Sequence, residues 1–379
     1  MAKVKFGDVV KEYKGKIDQK NNPYEFYVAG DHMDTDDLTI RRKGRFATDD
    51  VGPAFIREFK KGQVLYGSRR TYLRKIAVAD FDGVTANTTF VLETKDENVL
   101  RQRLLPFIMY TESFTEWSIK KSKGSTNPYV LFKDLADYEF DLPDIGKQDD
   151  LVELLWCMND AKDSYNKLIF TIGELVKSQF IERFAPRGDD VSNTTVEECC
   201  KAITGGGTPS MKCADFYGGT IPFIKSGDVK EDHVSSGALW LTDTALENTT
   251  AKLVPAGTIV VVVRSAALRH EFHAAIADNP LVINQDLKAF HPKIDIAPEF
   301  LLWAILSKAD DILQNVQTML TSHIETSVVS KIKIKRPTAE EVKEWQQFVW
   351  QSDKSRNELC KSLSEMTALY KRIIQDNLT

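Results

Sequence analysis

Two clusters of basic side chains have the residue types and spacing to contact a nucleic acid. Each cluster flanks a predicted turn between two strands. The first consists of Arg69, Arg70 and Arg74, and the second of Arg264, Arg269 and His270. Arginine can form paired hydrogen bonds to guanine or bind phosphate. A run of charge is more often a solvated face, so it is the recurrence at matching places in the two halves that favours contact with DNA.

Other polar residues suit the two kinds of DNA contact. Basic side chains along the chain suit phosphate contacts; they are Arg41, Arg42, Lys120, Lys121, Lys123 and Lys225. Asparagine and glutamine can pair with the edge of adenine, which makes Asn87, Asn284 and Gln285 candidates for base contacts. The sequence alone does not assign any of them to a particular base.

Four short motifs could indicate catalysis or metal binding, and each departs from the pattern that such chemistry needs. Asn21 to Tyr24 is similar to the NPPY-type motif of adenine methyltransferases, but it has one proline and no Gly-rich cofactor loop, so a turn is favoured. Gly205 to Gly207 precede Thr-Pro and not the Gly-Lys of a P-loop. His270 to His273 are one residue short of the HExxH zinc spacing. Asp34 to Asp37 lack the glycine and distal glutamate of a calcium loop. We therefore predict no catalytic residue and no metal ligand.

Two long amphipathic helices must position these residues. Residues 149–184 contain no proline, and apolar side chains recur there at steps of three and four, which predicts a helix of roughly 54 Å. Residues 338–377 follow Pro337 and carry the same spacing, and the two seams align at an offset of 194 residues. Both seams include a base, Lys162 in one and Arg356 in the other. The seam residues that we expect at a partner interface are Leu155, Tyr165, Ile172, Trp345, Trp350 and Tyr370.

The same offset recurs outside the helices, which indicates a duplication. Gly30 and Gly227, Gly62 and Gly257, Asn87 and Asn284, and Ser125 and Ser322 are 195 to 197 residues apart. Strands are predicted at 24–30, 62–68, 75–81 and 88–94, and a helix is predicted at 100–121. The sequence therefore predicts a mixed α/β protein with pseudo-two-fold organisation, built from two tandem domains that each end in a long helix. The predicted segments are 1–142, 143–185, 186–336 and 337–379.

Composition places the chain among ordinary globular proteins. It has 379 residues, 42% hydrophobic and 28% charged, with a net charge of −5 that argues only mildly against nucleic acid. The apolar run at 253–263 predicts a buried strand, and the alternation at 331–336 predicts a strand with one buried face. Five cysteines form no CxxC pair, and the N-terminus has no apolar signal sequence. We therefore expect a cytoplasmic, reduced protein.

The order of these segments resembles that of the specificity subunits of type I restriction–modification systems, over essentially the whole chain. The second copy carries GGGTPSMK (205–212), YGGTIPFIKSGDV (217–229), PAGTIVVVVRS (255–265), LVINQDLKAF (281–290) and TSHIETSVVSKIKIKRP (321–337). The first copy echoes them in KKGQVLYGSRR (60–70), ADFDGVTANTTFVL (79–92) and SKGSTNPYVLFKDL (122–135). The first copy departs from the pattern because it lacks a GGTP-like opening, which leaves its DNA contacts less defined.

The resemblance implies two target-recognition domains that each read one half of a split, asymmetric DNA sequence. It implies that the two long helices pack antiparallel as a coiled coil, separate the half-sites, and dock two methyltransferase subunits and, in some assemblies, restriction subunits. S-adenosylmethionine would bind the methyltransferase partner, and this chain would bind no cofactor. Two alternatives from other classes stay open: a self-sufficient DNA methyltransferase, and a coiled-coil scaffold with two protein-binding modules.

Overall fold

The computed structural model describes residues 2–186, 193–318 and 323–379. The chain forms two compact units. The first unit contains the residues up to Asn166 together with Lys361–Thr379, and the second contains Lys167–Cys360. Each unit therefore holds one α/β domain and part of each of two 40-residue helices.

The described part of the first unit contains ten strands. They are β1 (Ala2–Lys5), β2 (Val10–Glu12), β3 (Phe26–Val28), β4 (Gly44–Arg45), β5 (Phe55–Phe59), β6 (Val64–Gly67), β7 (Ile76–Val78), β8 (Gly83–Ala86), β9 (Thr89–Thr94) and β10 (Glu139–Leu142). They form two four-stranded sheets, with orders β2-β9-β6-β7 and β4-β3-β8-β5, and a ribbon of β1 with β10.

The second unit has eleven strands within its described residues. They are β11 (Asn193–Thr195), β12 (Cys200–Gly205), β13 (Tyr217–Ile224), β14 (His233–Val234), β15 (Leu239–Leu241), β16 (Leu253–Val254), β17 (Ile259–Val262), β18 (Ala274–Ala277), β19 (Leu281–Ile283), β20 (Leu287–Pro292) and β21 (Lys333–Lys335). The sheets have orders β12-β20-β17-β18-β14 and β15-β13-β19-β16, and β11 forms a ribbon with β21.

The strand order confirms the duplication. Every strand of the first unit has a counterpart at the same place in the second, and β14 is the one addition among the described residues. In both units one shared pair is parallel, β3 with β8 and β13 with β19, and the other shared pairs are antiparallel. The fold is mixed α/β, as predicted.

One pair of equivalent glycines shows how closely the two copies correspond. Gly62 and Gly257 have φ values of +89° and +78°, a region that residues with a Cβ rarely adopt. The backbone N–H of Gly62 donates to the carbonyl of Ala79, and that of Gly257 donates to Ala277, at 2.8 Å in each unit. The sequence offset of 195 residues therefore marks the same turn in both copies.

Eight short helices and two long ones accompany the strands in the described residues. The helices are α1 (Phe6–Val9), α2 (Leu105–Met109), α3 (Glu112–Lys121), α4 (Phe132–Ala136), α5 (Ile145–Phe184), α6 (Asp243–Asn248), α7 (Pro298–Leu306), α8 (Ala309–Thr318), α9 (Thr326–Ser330) and α10 (Ala339–Leu378). None of the helices in the described residues is both long enough and apolar enough to cross a membrane.

The long helices enter the core of each unit through aromatic residues. In the second unit the ring of Trp345 lies 5.2 Å from Phe180 and 5.7 Å from Phe184. In the first unit the ring of Tyr370 lies 6.1 Å from Phe107. The first half of α5 thus packs beside the second half of α10 in one unit, and the reverse occurs in the other, as an antiparallel pair requires.

Several boundary predictions need correction. Helix α5 begins at Ile145, four residues earlier than predicted, and the helix predicted at 100–121 is broken into α2 and α3 at Thr111, which caps α3. Residues 253–263 are not one strand, because Pro255 to Thr258 turn the chain from β16 into β17 in a different sheet. The strand within 331–336 is confirmed as β21, with Ile332 and Ile334 buried. Ser322, one of the residues that indicated the duplication, and residues 187–192 lie outside the described residues.

Two tryptophans on α10 give a matched test of these cores. Trp345 is fully buried, whereas Trp350, five residues later, is 64% exposed. We expect Trp345→Ala to lower the free energy of unfolding of the second unit by about 3–5 kcal/mol, because it leaves a cavity among Phe180, Phe184 and Phe300. Trp350→Ala should change it by less than about 0.5 kcal/mol. Urea denaturation of both variants measures the difference, and equal effects would contradict this packing.

Candidate nucleic-acid interface

Equivalent turns join β8 to β9 and β19 to β20. Asn87 and Thr88 separate the strands in the first unit, and Asn284, Gln285 and Asp286 separate them in the second. In each unit the residue that follows a neighbouring strand, β6 or β17, donates a backbone hydrogen bond to the turn. The N–H of Ser68 donates to Thr88 (3.1 Å), and that of Val263 donates to Asp286 (3.0 Å). The turns therefore correspond residue by residue at an offset of 198.

An arginine follows each fixed strand end. Arg69 forms a β-bridge with Tyr129, and Arg264 forms one with His323. Both arginine side chains are exposed, and neither forms an ion pair with the carboxylates that the structure describes. The guanidinium of Arg69 lies 6.0 Å from the ring centroid of Tyr129. Each unit thus presents an arginine beside an equivalent polar turn.

The other residues of the two predicted basic clusters differ in their exposure to solvent. Arg70 is exposed in a left-handed conformation (φ +51°), held by a bond from its N–H to Pro128 (2.7 Å). Arg269 and His270 are exposed at the end of a short 3₁₀ turn. These three side chains lie at the surface, as the prediction of DNA contacts requires.

Arg74 needs correction, because its guanidinium is used within the first unit. Its Nε donates to Asp36 (2.5 Å), one terminal nitrogen donates to Thr115 Oγ1 (3.0 Å), and the other donates to the carbonyl of Tyr110 (2.8 Å). The side chain is mostly buried. Arg74 therefore connects three segments of the domain, and all three of its guanidinium nitrogens are bonded within it.

Arg41 and Arg42 are also engaged by carboxylates. Arg41 pairs with Asp37 (2.8 Å) and with Asp163 on α5, and these pairs raise its pKa, Asp37 contributing most. Arg42 pairs with Asp34 and remains partly exposed. Arg41 therefore attaches the domain to the long helix and is not free for the predicted phosphate contact, whereas Arg42 is paired locally and its phosphate contact stays a prediction.

The predicted lysines lie at the surface. Lys120 is exposed on α3, and Lys121 lies 4.6 Å from the ring centroid of Trp117. Lys123 is partly neutralised by Asp134 at 2.9 Å. Lys225 is exposed directly after β13 and next to the second turn, because the carbonyl of Ile224 accepts from the N–H of Asn284 (3.0 Å).

Asn284 is corrected as a base-reading candidate. It is buried, and its side chain is fully used in the turn: Oδ1 accepts from the N–H of Asp286 (3.1 Å), and Nδ2 donates to the carboxylate of Asp286 (2.9 Å). The residue at the tip, Gln285, is exposed. Asn87, the counterpart of Gln285 and not of Asn284, is exposed as well.

The glycines of GGGTP allow a close approach to the second turn. A Cβ on Gly206 would lie 2.1 Å from the carbonyl oxygen of Asn284, and one on Gly207 would lie 2.7 Å from Thr250 Oγ1. The N–H of Gly207 donates to Ile283 (3.1 Å), and the hydroxyl of Thr208 donates to Gln285 Oε1. The motif is therefore a surface loop laid against the turn. Sequence reasoning missed Thr208, although a glycine run followed by a hydroxyl residue was its signal.

The Asn-Pro-Tyr segment forms a turn, as favoured. Asn22 Oδ1 accepts from the N–H of Tyr24 (2.9 Å), and its Nδ2 donates to the carbonyl of Tyr24 (3.1 Å). The hydroxyl of Tyr24 donates to Glu58, which also accepts from Tyr13 (2.7 Å) and pairs with Lys60 (2.9 Å). The bonds from Tyr13, Tyr24 and Lys60 lower the pKa of Glu58 to about 2. Asn22 therefore stands where the NPPY-type motif has its first proline, and the amide at the motif's asparagine position, that of Asn21, donates to the carboxylate of Asp18 (3.3 Å).

The predicted partner-interface residues divide by burial. Leu155, Trp345 and Tyr370 are buried in the cores of the chain itself, so we correct their assignment to a partner interface. Tyr165 and Ile172 are half-buried along the middle of α5, and Trp350 is exposed. No cluster of three potential metal ligands occurs in the part of the chain that the structure describes.

Comparison with known proteins finds a family match in the second half of the chain. Residues 188–365 match the family described as Type I restriction modification DNA specificity domain. Over 111 residues the chain is 36% identical to the EcoR124I/EcoR124II type I restriction enzyme specificity subunit of Escherichia coli, covering 29% of this chain and 28% of that protein. Over 144 residues it is 28% identical to the MjaIX specificity subunit of Methanocaldococcus jannaschii, covering 37% and 32%. The alignments thus span about a third of each relative. The resemblance to type I specificity subunits is confirmed.

Solved structures extend the likeness to the whole fold. A chain from the structure described as "Structural basis underlying complex assembly and conformational transition of the type I R-M system" aligns with a TM-score of 0.56 and 18% identity, covering 98% of this chain and 96% of that one. The type I restriction–modification S subunit from M. genitalium aligns with a TM-score of 0.52 and 13% identity, covering 100% and 96%. At these identities the alignments show a shared fold.

The carboxylate of Glu58 gives a pH-dependent test of the first unit. Its folded pKa of about 2 lies below the ordinary value of 4.5, so its contribution to stability is present above about pH 4.5 and is lost as the pH falls toward 2. We expect Glu58→Gln to lower the thermal midpoint at pH 7, and the gap from wild type to shrink between pH 4.5 and 2. The exposed Glu153→Gln variant is the control. A gap that does not depend on pH would contradict this reasoning.

Proposed function

We propose that this chain, whose residues 188–365 carry a type I restriction modification DNA specificity domain, is the DNA-reading subunit of a type I restriction–modification complex. The observation that carries the proposal is the duplicated surface: each unit presents an exposed arginine, Arg69 or Arg264, beside an equivalent exposed turn. A protein with two equivalent reading surfaces suits a target made of two half-sites. We propose that each α/β domain reads one of them.

The long helices would connect the two domains that read the half-sites. Helices α5 and α10 each contribute residues to both units. Base edges in the major groove are reached only from particular faces of the duplex, so two readers on a stiff connection recognise half-sites at a set separation. We propose that the lengths of α5 and α10 set that separation in the target.

The exposed faces of the long helices suit protein partners. Leu175 and Leu369, which are equivalent at the offset of 194, are 48% and 52% exposed. In the second unit Phe170 and Trp350 add further exposed apolar surface. Exposed apolar side chains of this size mark interaction sites when they cluster. We propose that two methyltransferase subunits dock at these equivalent places, with restriction subunits joining the same assembly.

Catalysis would belong to the partners. We propose that S-adenosylmethionine binds the methyltransferase subunit and that this chain supplies recognition alone. The departure of Asn21 to Tyr24 from the NPPY-type motif, with Asn22 at the first proline position and bonded to Tyr24, supports this division against the alternative of a self-sufficient methyltransferase. We also propose a cytoplasmic location, which the five free thiols support.

Methylome sequencing tests the proposed function. The methyltransferase partner is expressed in a host with and without this chain. A split, asymmetric motif should be methylated only when the chain is present, and replacing residues 1–142 with those of a related chain should change one half-site and leave the other. Unchanged methylation would remove the DNA-reading role and favour the protein-binding scaffold.

Partner docking is tested at the equivalent leucines. Because Leu175 and Leu369 are exposed, a lysine at either position should leave folding intact but place an unpaired charge in the partner interface. We expect each single variant to bind one methyltransferase subunit fewer and the double variant to bind none, as measured by light scattering of co-purified complexes. Gln351→Lys, at an exposed polar position on α10, is the control. Full occupancy of the double variant would place the partners elsewhere.

A further inference from the structure

The turn tips in the two units carry the same chemical group. Asn87 and Gln285 are equivalent at the structural offset of 198, and both end in a primary amide at an exposed position. The sequence comparison at 197 had paired Asn87 with Asn284, but Asn284 is buried and bonded within its own turn. The backbone bonds from Ser68 and Val263 fix the corrected register. An exposed amide at one structural position therefore recurs in both units.

The amide of Gln285 is held in a defined orientation. The hydroxyl of Thr208 donates to its Oε1, and Gly206 and Gly207 bring Thr208 close enough because a Cβ at either glycine would collide with neighbouring atoms. A carbonyl oxygen has two lone pairs, so Oε1 can accept a second hydrogen bond while Nε2 keeps its donors. This leaves one acceptor and one donor side by side.

That pair of groups matches one base edge in the major groove. Adenine presents the N6 amino group as a donor and N7 as an acceptor, and glutamine or asparagine binds both at once. The adjacent arginine in each unit, Arg264 or Arg69, is fixed to the same turn through the backbone and carries the charge to engage a neighbouring phosphate or guanine. The arrangement joins one adenine-reading group to one cation in each unit.

We propose that Gln285 reads an adenine in the second half-site and Asn87 reads an adenine in the first, with Thr208 as the positioning residue for Gln285. This inference rests on the proposed function and adds the identity of one base in each half. The side chain of Asn87 forms no hydrogen bond within the described residues, so the first half-site is read by an amide that is oriented only on binding. Discrimination at its adenine is therefore weaker than at the adenine that Gln285 reads.

Binding assays with the complex of chain and methyltransferase partner test the proposal. Wild type should prefer adenine at one position of each half-site. Gln285→Ala should lose about 5- to 150-fold of that preference in the second half-site alone, and Asn87→Ala should do so in the first alone. Gln351→Ala, which removes an exposed amide from α10, is the control, and thermal midpoints establish that the variants fold.

Two further measurements separate base reading from loop stability. Replacing N7 of the target adenine by carbon should weaken binding by wild type but not by Gln285→Ala, because only the wild type donates to N7. Thr208→Val should relax the second half-site, and Thr208→Ser should restore it, because serine keeps the hydroxyl. A structural role for Thr208 alone would change thermal stability without changing base preference.

The outcomes distinguish the inference from the function. If wild type methylates no split motif, the proposed function fails. If wild type does so and both alanine variants keep every base preference, the amides do not read bases and the inference is overturned while the function stands. Relaxation of one half-site by each variant, with sensitivity to N7, supports the inference.

Discussion

The burial of one aromatic side chain of α10 in each unit is the constraint on which the rest of the structure depends. Trp345 packs among Phe180, Phe184 and Phe300 in the second unit, and Tyr370 packs against Phe107 and Tyr110 in the first. A 40-residue helix cannot be stable through propensity alone, because most helical stability in proteins comes from packing an apolar face. Trp345 near one end of α10 and Tyr370 near the other are therefore parts of the two domain cores.

Aspartates near the basic seam residues Lys162 and Arg356 also help to attach the long helices to the α/β domains. In the first unit Lys162 lies 4.7 Å from the ring centroid of Tyr370, and burial lowers its pKa while nearby aspartates oppose that shift. In the second unit Arg356, at the equivalent seam position, donates to Asp232 at 2.8 Å. A base buried in a helical seam is costly unless it is paired, so each α/β domain supplies the acidic groups that its segment of seam requires. Arg41 with Asp163 extends the same attachment in the first unit.

The sequence correctly predicted the features that follow from the spacing of apolar residues and from repeated segments. The two long helices and the duplication came from apolar spacing and from offsets near 195, and the structure has both because helix packing and strand order follow those patterns. The burial and the hydrogen bonds of a side chain depend on neighbours that are distant in sequence, so the sequence did not predict them. Arg69 and Arg74 look alike in one cluster, yet only Arg74 meets Asp36. Trp345 and Trp350 lie on one helix, yet only Trp345 packs against Phe180 and Phe184. For the same reason Gln285 could not be preferred over Asn284 until the turn that separates them was known.

The ribbons β1–β10 and β11–β21 have an evolutionary consequence. In each copy the first and last strands of the α/β domain pair with each other, so the chain enters and leaves the domain at one place, just ahead of a long helix. The residues between the two strands can differ without altering the junction, provided that the ribbon still forms and that the side chains packed on the long helices, such as Phe107 and Tyr110, are kept. Under the proposed function, exchange by recombination of a gene segment that encodes one domain would give new combinations of half-sites without any change in the long helices.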